Sequence, residues 1–304
     1  VFEFTVDERT AGQRPDRALR TVMPAADREF ALAALKSGRI AVNGMTASLK
    51  TVLAAGDVVR AEVEDKSAAP SKRTETQQGF GLLHLDAHVC VVDKPQGIAT
   101  HHAPGVEDGV TLLDLVEAYL AFKDITPSRP PLAAGRLDRG TTGVLVISLS
   151  REAERGLAAA FEADTIRKEY LALCHGVTQP TLEVDRPLVV SRYRRGEAKV
   201  KKLKDAVTHA TRLAHSQTAS LLRVELDTGR MHQIRRHLRS VNHPVVGDSR
   251  YGRRQDRESD ELCLHAWSVT FTHPVDGRVL QLRAPLPAHF KRALKTHQVA
   301  WKER

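Results

Sequence analysis

The chain has 304 residues, 41% of them hydrophobic and 27% charged, a globular composition with length enough for two domains. No stretch approaches the ~20 apolar residues of a membrane span, and the opening "VFEFTVDERTAGQRPD" lacks the basic start and apolar core of a signal peptide. The net charge of +9 points toward a polyanionic partner.

Residues 1–64 read as a small unit. Leu19, Val22 and Met23 recur at helical spacing, and Phe30, Leu32, Leu35 and Lys36 fill a second helix that Gly38 stops. "RIAVNG" is a short strand running into an Asn43-Gly44 turn, and "DVVRAEV" is another strand after Gly56. Arg14, Arg17, Arg28, Lys36, Arg39 and Lys50 punctuate this unit, either as a solvated charged surface or as a grip on phosphates. Residues 65–79, "DKSAAPSKRTETQQG", are polar and aperiodic, a linker.

From residue 80 to 304 strands and helices alternate. "LLHLDAHVCVVDKP" is β-rich up to Pro95, "GVTLLDLVEAYLAF" an amphipathic helix, "GVLVISLS" a buried strand and "REAERGLAAAFEA" a helix. "RKEYLALCHG", "ASLLRVELDTGR" and "SVTFTHPVDGRVLQLRAP" supply further strands, the last a hairpin about Asp276-Gly277. Tight turns between the strands argue for a mixed, largely antiparallel sheet flanked by helices, an α+β fold. Neither a dinucleotide fingerprint nor a P-loop is present. Cys90, Cys174 and Cys263 are far apart and sit in apolar surroundings, as expected of free thiols in a reducing cytoplasm.

Three stretches can carry chemistry. In "GRLDRGTTGVLV", residues 135–146, Asp138 lies between Arg136 and Arg139, just before a buried strand. A surface ion pair is one reading; a carboxylate lining a cleft at the strand entry is the other. Tyr170 in "RKEYLAL", next to Lys168, is either a ring packed on the sheet or one that stacks on a base. "DTGRMHQIRRHLRSVNHPVVGD" gathers Arg230, His232, Arg235, Arg236, His237 and Arg239 around a helix whose apolar side is Ile234, Leu238 and Val241. An arginine-rich helix start suits phosphate oxygens. No acid or cysteine completes a ligand set for the histidines, so no metal is expected.

In their order along the chain, "VVDKPQGI", "GRLDRGTTGVLV", "RKEYLAL", "TGRMHQIRRHL", "HPVVGDSRYG" and "LCLHAWSVTFTHPVDGRVLQLRAPLP" resemble the RluA-type pseudouridine synthases over residues 82–290. The two helices with the "GR-I-x-VNG" and "GD-x-V" strands resemble the S-four-like RNA-binding domain.

The resemblance implies the pseudouridine synthase fold behind a small S-four-like α/β domain. It also implies an isomerase that breaks the glycosidic bond of a uridine in RNA, rotates the uracil and rejoins it through carbon five, with no cofactor or metal. The family's catalytic aspartate falls on Asp138, acting as nucleophile or base, with Arg235 as its ion-pair partner. Arg136 matches the residue that enters the RNA stack in place of the flipped base, Tyr170 the catalytic ring that packs on the uracil and later assists proton removal, and Ile234 lines the other side of the base pocket. Arg139, Lys168 and Arg230 are expected to contact substrate.

The expected partner is ribosomal RNA, with a cytoplasmic monomer as the enzyme. A synthase acting on transfer RNA, or a binding or ribosome-assembly factor without the chemistry, are the alternatives. Three positions depart from the family's usual letters: Gly135 for His, Thr142 for Ser and Met231 for Thr.

Overall fold

The structure, a computed structural model, describes residues 2–8, 10–22, 35, 38–48, 51–61, 79–102, 109–192, 200–259 and 261–302. Its internal contacts divide the chain into two units, Val1–Arg73 and Thr74–Arg304. Apart from Gly79, the expected linker lies outside the described residues, as do Phe30, Leu32 and Lys36 of the expected second helix; Leu35 is helical and buried.

In the first unit, β1 (Phe2–Thr5), β4 (Val58–Ala61), β2 (Ile40–Val42) and β3 (Met45–Thr46) form an antiparallel sheet in the order β1-β4-β2-β3. Helix α1 (Pro15–Val22) starts on proline, whose missing N–H costs nothing at a first helical position. It buries Ala18 and Leu19 in one cluster with Ile40, Val42 and Val59. Asn43 and Gly44 take φ of 50° and 82°, the left-handed pair that a two-residue hairpin turn requires. Strand β1 has no turn signal before it, and its pattern alone does not announce it.

The second unit is built on a sheet whose path runs β10 (Thr181–Asp185), β13 (Val207–His215), β14 (Ala219–Leu226), β9 (Arg167–His175), β15 (Leu264–Thr272), β8 (Thr142–Ser148), β6 (Val89–Lys94), β5 (Gly81–Leu85). β16 (Val279–Arg283) pairs with β15 and β7 (Leu132–Ala133) with β8, while β11 (Leu188–Arg192) and β12 (Val200–Lys204) form a separate ribbon. The one parallel pairing is β8 with β15.

Strand β8 is buried at all seven positions because both faces are covered. Leu145 and Ile147 pack with Leu112, Val116 and Leu120 of α2 (Leu112–Phe122); Val144 and Val146 pack with Ala153 and Leu157 of α3 (Arg151–Glu162). The helices begin where side chains cap them. Thr111 and Asp114 form a reciprocal capping box on α2, and the Ser150 hydroxyl accepts from Ala153 N–H at 3.1 Å on α3.

Strands β10 to β13 have no counterpart in the sequence reading. β10 is the edge strand and β13 lies next to it, and both have few fully buried positions, so their letters do not form an apolar run or a clean alternation.

The β8–β15 junction requires Gly143. Its φ is +107°, and a Cβ there would lie 2.1 Å from the Ala266 carbonyl oxygen. Beside it, Thr142 Oγ1 and His265 Nδ1 are 2.8 Å apart across the same buried pair. Gly143→Ala is expected to destabilise the second unit by about 3 kcal/mol or more through overlap and backbone strain. A shift of the urea midpoint measures it; an unchanged midpoint would contradict the close approach.

Candidate active site

Asp138 lies in the loop entering β8, and Tyr170 on β9; β15 runs between the two strands. The third contributor comes from α4 (Gln233–Ser240), which follows β14. Sheet order therefore brings together residues 97 positions apart: Arg235 Nη1 donates to Asp138 Oδ2 at 2.9 Å.

Arg235 is a fork. Its Nε and Nη2 donate to the two oxygens of Asp248 at 2.8 and 2.9 Å, while Nη1 holds Asp138. Asp248 has a fully buried side chain, whereas that of Asp138 is 21% exposed and faces the recess. Asp248 Oδ1 also accepts from the N–H groups of Arg250 at 3.0 Å and Tyr251 at 2.9 Å. Burial alone would raise the Asp248 carboxyl. The Arg235 hydrogen bonds and charge, with these backbone donors, outweigh burial and hold it below the usual range. Burial likewise opposes the Arg235 charge, and Asp248 and then Asp138 overcome it.

The segment "HQIR" spends each letter differently. His232 enters α4 in the left-handed region at φ 55°, with Nε2 3.6 Å from Asp138 Oδ1 and Nδ1 3.0 Å from the Tyr251 hydroxyl. Burial lowers its pKa, against the attraction of Asp138. Gln233 staples the loop to β13: its Oε1 accepts from Arg230 N–H and Thr228 Oγ1, and its Nε2 donates to the Val207 carbonyl. Ile234 is buried and lines the recess, as does Tyr170.

Helix α4 departs from the expected phosphate-binding start. Gln233, Ile234, Arg235, His237 and Leu238 are all buried, so it has no simple apolar stripe. His237 is spent on Thr208 Oγ1 and the Arg186 carbonyl, Arg236 donates to the Val189 carbonyl, and Arg235 belongs to the carboxylates. Arg239 remains exposed.

The recess, about 90 Å³, is walled by Asp138, Tyr170, Ile234 and Arg235, with Arg136 and Arg230 also lining it. Tyr170 sits in an environment that pushes its phenol up to about 12, through burial first and the Asp138 charge second. Arg136 is exposed, and Arg230 Nε donates to the Asp205 carbonyl. Arg139 is exposed too, with its Nε donating to the Gly97 carbonyl at 2.7 Å. Lys168 does not line this recess; its ammonium lies 4.5 Å from the Phe161 ring centroid.

Sequence reasoning gives Asp248, His232 and Gln233 no role in the site and misses two further groups. Lys94 is fully buried, and its ammonium donates to the carbonyls of Pro95, Ile98 and Arg139, tying the loop after β6 to the Asp138 loop. Burial brings its pKa down to about 8, against the attraction of Asp138 and Asp93. Thr141 Oγ1 is buried at the recess with no hydrogen-bond partner among the described residues. The "DKP" and "GD" letters were the available signals, a charge inside an otherwise apolar or glycine-bounded stretch.

Gly135 lines a neighbouring cleft, and a Cβ there would meet only Phe161 at 3.8 Å. No steric demand for glycine exists at that position. Among the described residues, no group of three or more His, Cys, Asp or Glu side chains is placed to hold a metal ion. No described helix is long and apolar enough to cross a membrane.

Residues 88–240 match the RNA pseudouridylate synthase family. The chain is 33% identical to the ribosomal large subunit pseudouridine synthase C of Escherichia coli, over 97% of this chain and 95% of that protein. The chain belongs to the RNA pseudouridylate synthase family. An uncharacterized RNA pseudouridine synthase of Mycobacterium bovis is also 33% identical, over 95% of this chain and 96% of its own.

Among solved structures, the human RNA pseudouridylate synthase domain containing 4 protein shares the fold, with a TM-score of 0.60 at 23% identity. That match covers 73% of this chain and 95% of the human one. The human domain containing 1 protein matches at 0.55 and 21%, over 69% and 84% of the two chains. This synthase is therefore an isomerase acting on RNA.

The fork gives the synthase a specific weak point. Asp248→Asn leaves the geometry nearly isosteric but removes the buried charge that fixes Arg235. It is expected to lower kcat by about 100-fold, a loss of roughly 2.7 kcal/mol in the barrier, with little change in KM for RNA. Single-turnover tritium release from 5-tritiated RNA measures it; wild-type kcat would contradict the orienting role.

Proposed function

We propose that this synthase modifies uridines in large-subunit ribosomal RNA, with Asp138 as the catalytic carboxylate. The observation that carries this reading is the 2.9 Å pair between Asp138 and Arg235, facing a recess walled by Tyr170 and Ile234. The substrate class follows from likeness to the Escherichia coli large-subunit enzyme over nearly the whole chain.

The reaction breaks the bond from ribose C1′ to uracil N1 and makes one from C1′ to C5. The C5 proton is lost and N1 gains one, so atoms and oxidation state balance. As nucleophile or as base, Asp138 must be ionised and aimed while polyanionic RNA lies against it. Arg235 meets both needs by supplying the compensating charge and one fixed direction. His232, on the other oxygen, limits the carboxylate's rotation. The unpartnered Thr141 hydroxyl offers the bound uridine a hydrogen bond.

A base must leave its stack to reach Asp138, which costs a few kcal/mol. Exposed Arg136 at the rim is placed to fill the gap, and Tyr170 and Ile234 hold the flipped uracil between them. With its phenol pushed up to about 12, Tyr170 is neutral at physiological pH. As a neutral phenol its ring packs on the flipped uracil. Arg230, Arg139 and Lys168 contribute positive charge toward the RNA backbone.

The first unit grips structured RNA by a face that includes Arg17, which is exposed, and Arg39, which is half-buried. Arg14 is paired with Asp16 at 2.8 Å within this unit and contributes less. Arg28 and Lys36, assigned the same role from sequence, lie outside the described residues.

Asp138→Asn is expected to reduce isomerisation by about 10⁴-fold or more while RNA affinity stays within a few-fold. Tritium release and filter binding on the same RNA measure the two. Full activity in this variant would overturn the assignment. Pseudouridine mapping of ribosomal and transfer RNA after gene deletion tests the substrate: losses confined to transfer RNA would contradict the ribosomal assignment.

A further inference from the structure

Tyr170 lines two clefts. Next to the target recess lies a second cleft of about 440 Å³, and Arg136, Leu137, Tyr170 and Leu226 line both. The second cleft is the larger by volume and has a different lining. Its floor is the sheet, with Val144, Val146 and Val269, and Phe161 from α3 is its aromatic wall.

The charges in this cleft are mixed. Arg136 and Lys168 bring positive charge, and Asp164 and Asp227 bring carboxylates. Lys168 is half-buried, and its ammonium makes no hydrogen bond or ion pair to any described residue, only the 4.5 Å contact with the Phe161 ring. Burial lowers its pKa, against the attraction of Asp164.

A bare anion does not fit a wall that carries two carboxylates. A nucleobase does: its faces suit an apolar and aromatic slot, its N–H groups suit carboxylate acceptors, and its carbonyls and phosphate suit the cations. Gly135 lines this cleft, and a Cβ there would come into ordinary contact with Phe161 at 3.8 Å.

We propose that this cleft receives a second unstacked nucleobase of the same RNA strand, next to the target uridine, with Arg136 standing between the two. The proposal rests on the pseudouridine synthase reading of the neighbouring recess. Two extruded bases on either side of one arginine spread the cost of opening the RNA over two slots. They also let the neighbour's identity contribute to target choice without touching the reacting atoms.

The test is Gly135→His, an exposed position whose substitution meets no backbone, assayed on unmodified large-subunit ribosomal RNA transcribed in vitro. KM is expected to rise about tenfold with kcat within twofold of wild type, and Phe161→Ala is expected to show the same split. Wild-type enzyme photocrosslinked to the same RNA carrying 4-thiouridine is expected to give adducts on peptides containing Phe161 or Lys168. Unchanged KM in Gly135→His, or adducts absent from those peptides while others form, would overturn the second slot and leave the parent reading standing. Absence of any isomerisation by the wild type would overturn both.

Discussion

One guanidinium organises the two carboxylates of this site. Arg235 is nearly buried and bonded to two carboxylates with unequal fates: Asp248 is sealed from solvent and Asp138 faces the recess. A unit charge pair at about 4 Å contributes about 4 kcal/mol at an effective dielectric near 20. A lone arginine on Asp138 would satisfy that carboxylate but could swing with it. Tied at Nε and Nη2 by Asp248, the arginine is left one donor direction, and that direction holds Asp138 Oδ2. The buried acid thus reaches Asp138 through the arginine.

The sheet exists in the form that makes this meeting possible. A carboxylate loop entering β8, a ring on β9 and a helix after β14 converge because β15 inserts between β8 and β9 with one parallel pairing in an otherwise antiparallel sheet. Gly143 permits that insertion, and the Thr142–His265 contact fills the space beside it. Lys94 then fastens the Asp138 loop from below through the Arg139 carbonyl. A second buried acid, Asp256, fastens the Asp248 loop by accepting from Gly247 and Arg253 N–H and pairing with His175. Rigid support on both carboxylate loops is what electrostatic preorganisation requires.

Much of this was legible in the letters, and the rest was hidden for physical reasons. The run "GVLVISLS" announced a strand buried on both faces, and the Asn43-Gly44 and Asp276-Gly277 turns announced hairpins, because each signal is local. Strands β10 and β13 were not announced, since strands with so few fully buried positions leave little periodic trace. Asp138, Tyr170 and Arg235 stood out as motif letters. Asp248 and Lys94 did not, because a buried charge looks like a surface charge until its partners are seen. The arginine-rich helix is opaque in the same way: Arg235, Arg236 and His237 are consumed inside the protein by groups far away in sequence, while Arg239 stays exposed.

The central claim is that Asp248 acts on the reaction only through Arg235. A double-mutant cycle in kcat, with Arg235→Lys and Asp248→Asn alone and together, tests it most directly. Lysine keeps the positive charge but cannot bridge both carboxylates. The account predicts strong non-additivity, with the double variant no slower than Arg235→Lys by more than about twofold. Losses that simply multiply would show that Asp248 acts independently, and would contradict the fork as the organising interaction of the site.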